Sequence, residues 1–99
     1  MSASKRRSYS TEANRDPKGY QQITSLSAAV GLTVPLFARI AVIQAEAQVV
    51  RWRDDGVNPT STVGMTLAVG ASITYSGDLA AVKFIQATSG AILNITYYD

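Results

Sequence analysis

Residues 38–50 read ARIAVIQAEAQVV, and whether they form one helix or two strands decides the fold. Ala, Gln and Glu favour a helix, and Ile40, Ile43, Ala47 and Val50 fit a helical stripe. Against that, Ile40 and Val42 alternate with smaller residues, and the run VVRW at its end is rich in β-branched and aromatic side chains that suit a pleated sheet. One unbroken strand of this length would be long for so small a domain. The reading that meets both constraints is two strands joined at a bend or bulge near residues 45–47.

The flanking sequence has the same texture. Breakers fall at Gly31, Pro35, Gly56, Pro59, Gly64, Gly70, Gly77 and Gly90, a spacing that suits an all-β sandwich or barrel. Between them strands are predicted over 21–27, 29–34, 39–46, 48–53, 73–75, 80–87 and 92–98. If Ser89-Gly90 is a two-residue hairpin loop, Phe84 opposes Ile95 and Val82 opposes Tyr97. That register gathers Val82, Phe84, Leu93, Ile95 and Tyr97 on one face, and a slip of one residue would scatter them. With Trp52 they form the predicted core.

Composition removes several kinds of chemistry. The 99 residues include no cysteine and no histidine, so there is no thiolate nucleophile, no Cys-ligated metal and no imidazole base. An apolar fraction of 46% with 16% charged residues is that of a globular chain. The N-terminus lacks a signal-peptide apolar core, and no stretch approaches the about 18 apolar residues of a membrane span. A soluble protein, made in the cytoplasm and not exported by the standard route, is expected.

The net charge of +2 conceals an uneven distribution. Residues 1–20 carry Lys5, Arg6, Arg7, Arg15 and Lys18 against Glu12 and Asp16, while the rest is slightly acidic. Such a Ser-, Asn- and Lys/Arg-rich segment buries too little apolar area to offset its ordering entropy. It is predicted to be a flexible basic arm, 1–20, preceding a β-domain, 21–99. Three consecutive basic residues are a weak nucleic-acid signal, and an arm that meets a protein partner is the preferred reading.

Residues 50–60, VRWRDDGVNPT, concentrate the unusual side chains. Asp54 and Asp55 superficially suit a calcium loop, but oxygen ligands at alternate positions and a closing Glu are missing. A carboxylate pair for glycoside hydrolysis must flank one bond, whereas adjacent strand residues point to opposite faces. No catalytic residue, cofactor or metal ligand is assigned. The structural reading is complete by itself: Val50 and Trp52 point inward, Arg51 and Arg53 outward, and Gly56, Asn58 and Pro59 turn the chain. Arg51, Arg53, Asp54, Asp55 and Tyr98 are then candidates for a corner brace or an interface, where Arg and aromatic residues are common anchors.

The series Arg51-Trp52-Arg53-Asp54-Asp55-Gly56, Pro59-Thr60, Gly64-Met65, Leu67, Gly70, Tyr75, Gly77-Asp78-Leu79, Phe84-Ile85, Ala91, Leu93-Asn94 and Tyr97-Tyr98 resembles a pattern in small structural proteins of tailed bacteriophages. It covers roughly residues 38–98. The resemblance implies a compact, non-enzymatic β-sandwich in the virion shell or head-to-tail region. The expectation is therefore an antiparallel β-sandwich of jelly-roll character with an extended N-terminal arm. As a capsid decoration or cement protein it would form a homo-oligomer, for instance a trimer, and bridge the major capsid protein or other shell proteins. Specific nucleic acid and membranes are not expected partners. The alternatives are a collar or head-to-tail connector component, or a carbohydrate-binding module on the virion surface using Trp52.

Overall fold

Residues 38–50 become two strands because only that arrangement buries Ala41, Ile43 and Ala45 on one side and leaves Gln44 and Glu46 on the other. The break falls at Ala47, whose φ is 74°, and the amide of Gln48 donates to the carbonyl of Glu46 at 2.9 Å. This bond closes a three-residue turn with the φ of the rarer, strained γ form. The outward and inward roles differ from the simplest expectation: Ile40 and Val42 face outward and the small alanines face the core. Alanine there leaves room for the larger side chains of the opposing sheet.

A computed structural model describes residues 15–99. In chain order the strands are β1 (Pro17–Ile23), β2 (Val30–Gly31), β3 (Ile40–Glu46), β4 (Val50–Arg53), β5 (Met65–Leu67), β6 (Ser72–Tyr75), β7 (Lys83–Gln86) and β8 (Ile92–Tyr98). They form two four-stranded sheets, ordered β1-β8-β3-β6 and β2-β7-β4-β5, and every strand ladder is antiparallel. The pairing is nested: β1 with β8, β2 with β7, β3 with β6 and β4 with β5. Among the described residues there is no helix, hence none long and apolar enough to cross a membrane.

Both sheets feed one apolar core that includes Val82, Phe84, Leu93, Ile95 and Tyr97, all fully buried. Trp52 lies at its margin, partly buried and packed against it. Tyr97 keeps its hydroxyl satisfied by donating to Gln21 Oε1 at 2.8 Å, as a buried polar group must be. Truncation of Phe84, which lies between Val30 and Trp52 in the sheet, would cost about 3–5 kcal/mol.

The 89–90 hairpin does not exist. β7 and β8 lie in different sheets, so Phe84 pairs with Val30 and Trp52, and Ile95 pairs with Gln21 and Ile43. The connection after β7 carries the chain across the core, and both strands turn one face to it. Period-two burial is the same whether two strands pair side by side or face each other across a core. The predicted face was right and the predicted partner was not.

The first strand also starts earlier than expected, and one strand is added. β1 begins at Pro17, inside the span expected to be arm, because its backbone completes the edge of β8 from Pro17↔Tyr98 to Ile23↔Leu93. β5 was not predicted; its three residues complete the edge beyond β4. Lys5, Arg6 and Arg7 lie outside the described residues.

Candidate functional site

The antiparallel registers bring the starts of β1, β3, β5 and β7 and the ends of β2, β4, β6 and β8 to one end of the fold. The loops 32–39, 54–64 and 76–82 therefore gather there, beside Arg15 and Asp99. Residues 50–55 run into this end. Val50 is buried, and Trp52, two residues on, meets the ring of Tyr75 edge to face with centroids 6.0 Å apart.

Arg51 points away from the core and holds the following loop. Its Nε donates to the carbonyl of Ser61 at 3.1 Å and its Nη1 to that of Gly64 at 2.9 Å. The loop is tied further by reciprocal backbone bonds between Thr60 and Val63, at 2.9 and 3.3 Å, and by Thr60 Oγ1. Gly64 has a φ of 143°, and a Cβ there would lie 3.2 Å from Arg51 Cβ, Pro59 Cβ and the Trp52 carbonyl oxygen. Only glycine fits this crossing without displacing the loop.

The adjacent aspartates do separate work. Asp55 accepts both arms of the Arg53 fork, Nε to Oδ1 at 3.0 Å and Nη2 to Oδ2. These hydrogen bonds hold the Asp55 carboxyl below the usual carboxylate range and raise Arg53. Asp54 turns the other way and accepts from the Tyr75 hydroxyl at 2.8 Å. Burial first, and then this hydrogen bond, push the Tyr75 phenol up to about 12. Trp52, Arg53, Asp54, Asp55, Val63, Gly64 and Met65 line an open cleft of about 550 Å³. Its walls are mostly apolar and its rim carries charge, which suits holding a side chain or ring. Among the described residues, His, Cys, Asp and Glu nowhere gather in threes that could hold a metal.

Arg15 and Lys18, expected to reach outward on the arm, are placed against the β-body. Arg15 Nη1 donates to the Asp99 carbonyl at 3.1 Å, and Lys18 Nζ lies 3.7 Å from Asp99 Oδ2. The Asp16 amide adds a bond to Asp99 Oδ1 at 3.0 Å. Together they fasten the start of β1 to the end of β8.

A second surface, not singled out from the sequence, covers the outer face of the β1-β8-β3-β6 sheet. Register aligns Gln22, Asn94, Gln44 and Ser72 in one row across all four strands, and Tyr20, Thr96, Val42 and Thr74 in the next. Asn94 joins the strands: its Oδ1 accepts from Tyr20 and Gln22 at 2.8 and 2.9 Å, and its Nδ2 donates to Glu46 at 2.8 Å. Tyr98 lies on the same face beside Ile40. Glu46 is the one charge among the outward positions of β3, β6 and β8. The signal was present in the alternation of Gln and Asn with apolar residues, but only the register makes a surface of it.

No protein-family model, curated protein or solved structure matches the chain.

Proposed function

We propose that the protein is a non-enzymatic structural component of a tailed-phage virion, a capsid decoration or cement protein that bridges shell subunits. The observation that carries this reading is the outer face of the β1-β8-β3-β6 sheet. Its polar rows are nearly free of charge and are locked by the Asn94 hydrogen bonds. Depletion of charge with retention of tyrosine is the composition of an interface centre, and a pre-ordered surface loses little entropy on docking.

The nested strand order supports a jelly-roll assignment, two Greek keys folded into a double sheet, an architecture shared by viral capsid and lectin domains. The Arg51-braced loop fits the same role, as it spends the conspicuous side chains on shape instead of reaction. Basic residues Lys5, Arg6 and Arg7 remain the part of the arm that would meet acidic patches on the shell.

Quantitative mass spectrometry of purified particles tests the reading. Hundreds of copies per virion on the head surface are expected; a dozen or so would place it in a collar or connector, and absence would end the proposal. Deletion of residues 2–14, which spares β1, is expected to lower occupancy while leaving the β-body folded. Replacing Gln22 and Gln44 by Lys is expected to abolish occupancy, and undiminished binding would remove the sheet face from the mechanism.

A further inference from the structure

The loop end of the fold exposes large apolar side chains in two groups. One is a tight turn between β2 and β3. The Ala38 amide donates to the Pro35 carbonyl at 3.1 Å, and Leu36 and Phe37 occupy the two central positions, 78% and 72% exposed. Phe37 has a φ of 68°, in the region where the third position of a type II turn asks for Gly or Asn. A bulky residue there is a genuine outlier, and no contact among the described residues buries its ring. The base of the turn is rigid: Pro35 packs so closely on β1 that a Cβ at Gly19 would come within 3.0 Å of Pro35 Cγ. Strained backbone clusters at binding and switch elements, and this turn displays an apolar ring.

The other group surrounds the cleft between Trp52, Val63 and Met65, with Met65 61% exposed. A dry cavity of about 150 Å³ accepts benzene, so an open cleft of about 550 Å³ has room for a phenyl ring and a leucine side chain. The chain's own Phe37 does not fill it, as its exposure shows. β2 and β5 are opposite edges of one sheet, three strand spacings or about 14 Å apart.

We infer that the Leu36–Phe37 finger of one copy seats in the Trp52–Val63–Met65 cleft of a second copy. Both features lie at the same end of the fold, so a twofold axis through that end lets each copy fill the other, the self-complementary arrangement of an isologous pair. Charge agrees with this occupant. Arg39, two residues beyond Phe37, has no side-chain hydrogen bond or ion pair among the described residues, while the exposed Asp54 carboxylate, unlike Asp55, has no cationic partner there and stands on the cleft rim. The inference rests on the reading of the β-body as a part that works by association. It does not depend on the virion as its setting, since self-association is measured on the purified protein alone.

Sedimentation equilibrium of the full chain is expected to show concentration-dependent association that Phe37→Gly abolishes. The same variant is expected to melt higher as a monomer, because glycine relieves the positive φ; a merely structural Phe37 would lower the melting temperature instead. Met65→Lys, at an exposed cleft position, is expected to give the same loss of association from the other side. The chain has no cysteine, so a mixture of Phe37→Cys and Val63→Cys proteins should yield a disulfide joining the two variants. A wild-type chain that stays monomeric at several hundred micromolar, or a Phe37→Gly protein that associates unchanged, overturns the inference; either result leaves particle occupancy to be judged separately.

Discussion

Arg51 Nη1 donates to the carbonyl oxygen of Gly64 at 2.9 Å, across a loop whose near end leaves the strand that carries the arginine. With the second bond to Ser61, one planar fork fixes both the span and the twist of residues 54–64. Arg51→Ala is expected to destabilise the fold by about 1.5–3 kcal/mol, the range for hydrogen bonds to a charged donor. Arg51→Lys should recover little, since an ammonium cannot reproduce the fork. Arg53→Ala breaks a solvent-facing pair with Asp55 and is expected to leave the thermal midpoint almost unchanged. Melting curves of the three variants check the order, and a larger loss for Arg53→Ala would contradict it.

Gly77 is required by proximity and not by an unusual φ. A Cβ at that position would lie 2.5 Å from the Tyr75 hydroxyl oxygen and 2.7 Å from its Cζ. Gly77→Ala must therefore push the phenol from Asp54 and disturb its edge contact with Trp52, at an expected cost of about 1–3 kcal/mol. Tyr75→Phe removes the hydroxyl's bond to the Asp54 carboxylate and its longer approach, 3.4 Å, to the Asp78 carbonyl, and is expected to cost about 1 kcal/mol. If crowding of the ring is the cause, Gly77→Ala will remain costly in the Tyr75→Phe background; a neutral effect there would assign it to the hydroxyl alone.

The parts of this fold that were legible in the sequence are those written in local alternation. Residues 92–98 bury every second side chain, and their boundaries could be read directly. The partner of that strand was not legible, because two strands facing each other across a core alternate in the same way as two strands paired in a sheet. The first half of β1, before the strand predicted from residue 21, was hidden for another reason. PKGYQQI carries one large aliphatic residue and places Gln21 on its inward side, where Tyr97 and Thr33 satisfy the amide. Its strand character comes from the edge it completes. At the candidate site, the outward arginines and the turn could be anticipated from residues 50–60, whereas the role of Asp54 depends on Tyr75, far along the chain and in the other sheet.

The bend that makes two strands of residues 38–50 is strained at Ala47, with φ at 74°. An L residue in the left-handed region costs about 1–2 kcal/mol, and glycine loses about 0.5–1 kcal/mol of that gain to its freer unfolded chain. Ala47→Gly is expected to stabilise the protein by about 0.5–1 kcal/mol, a rise of several degrees in melting temperature for a domain of this size. Ala47→Val should do the opposite, as a β-branched side chain tolerates this φ least. A destabilising Ala47→Gly would mean that the alanine methyl supplies packing that outweighs the strain.

Alkaline pH probes the two buried phenols together. Burial pushes both Tyr75 and Tyr97 up to about 12 from an ordinary value of 10.0, Tyr75 with help from the Asp54 carboxylate. The folded state thus holds protons that the unfolded chain has released, and stability falls as pH rises between about 10 and 12. Below pH 10 both states keep the phenols protonated and the contribution is complete. A two-unit shift is on the order of 2–3 kcal/mol for each group, so the full effect of the pair is comparable to a large part of a small domain's stability. Tyrosinate absorbance is expected to show two of the five tyrosines ionising late, together with unfolding. Tyr75→Phe should remove one late ionisation and flatten the decline in denaturant midpoint over that pH range. Ionisation of all five tyrosines near pH 10 with the fold intact would show that the phenols are open to water, contrary to their place in the core.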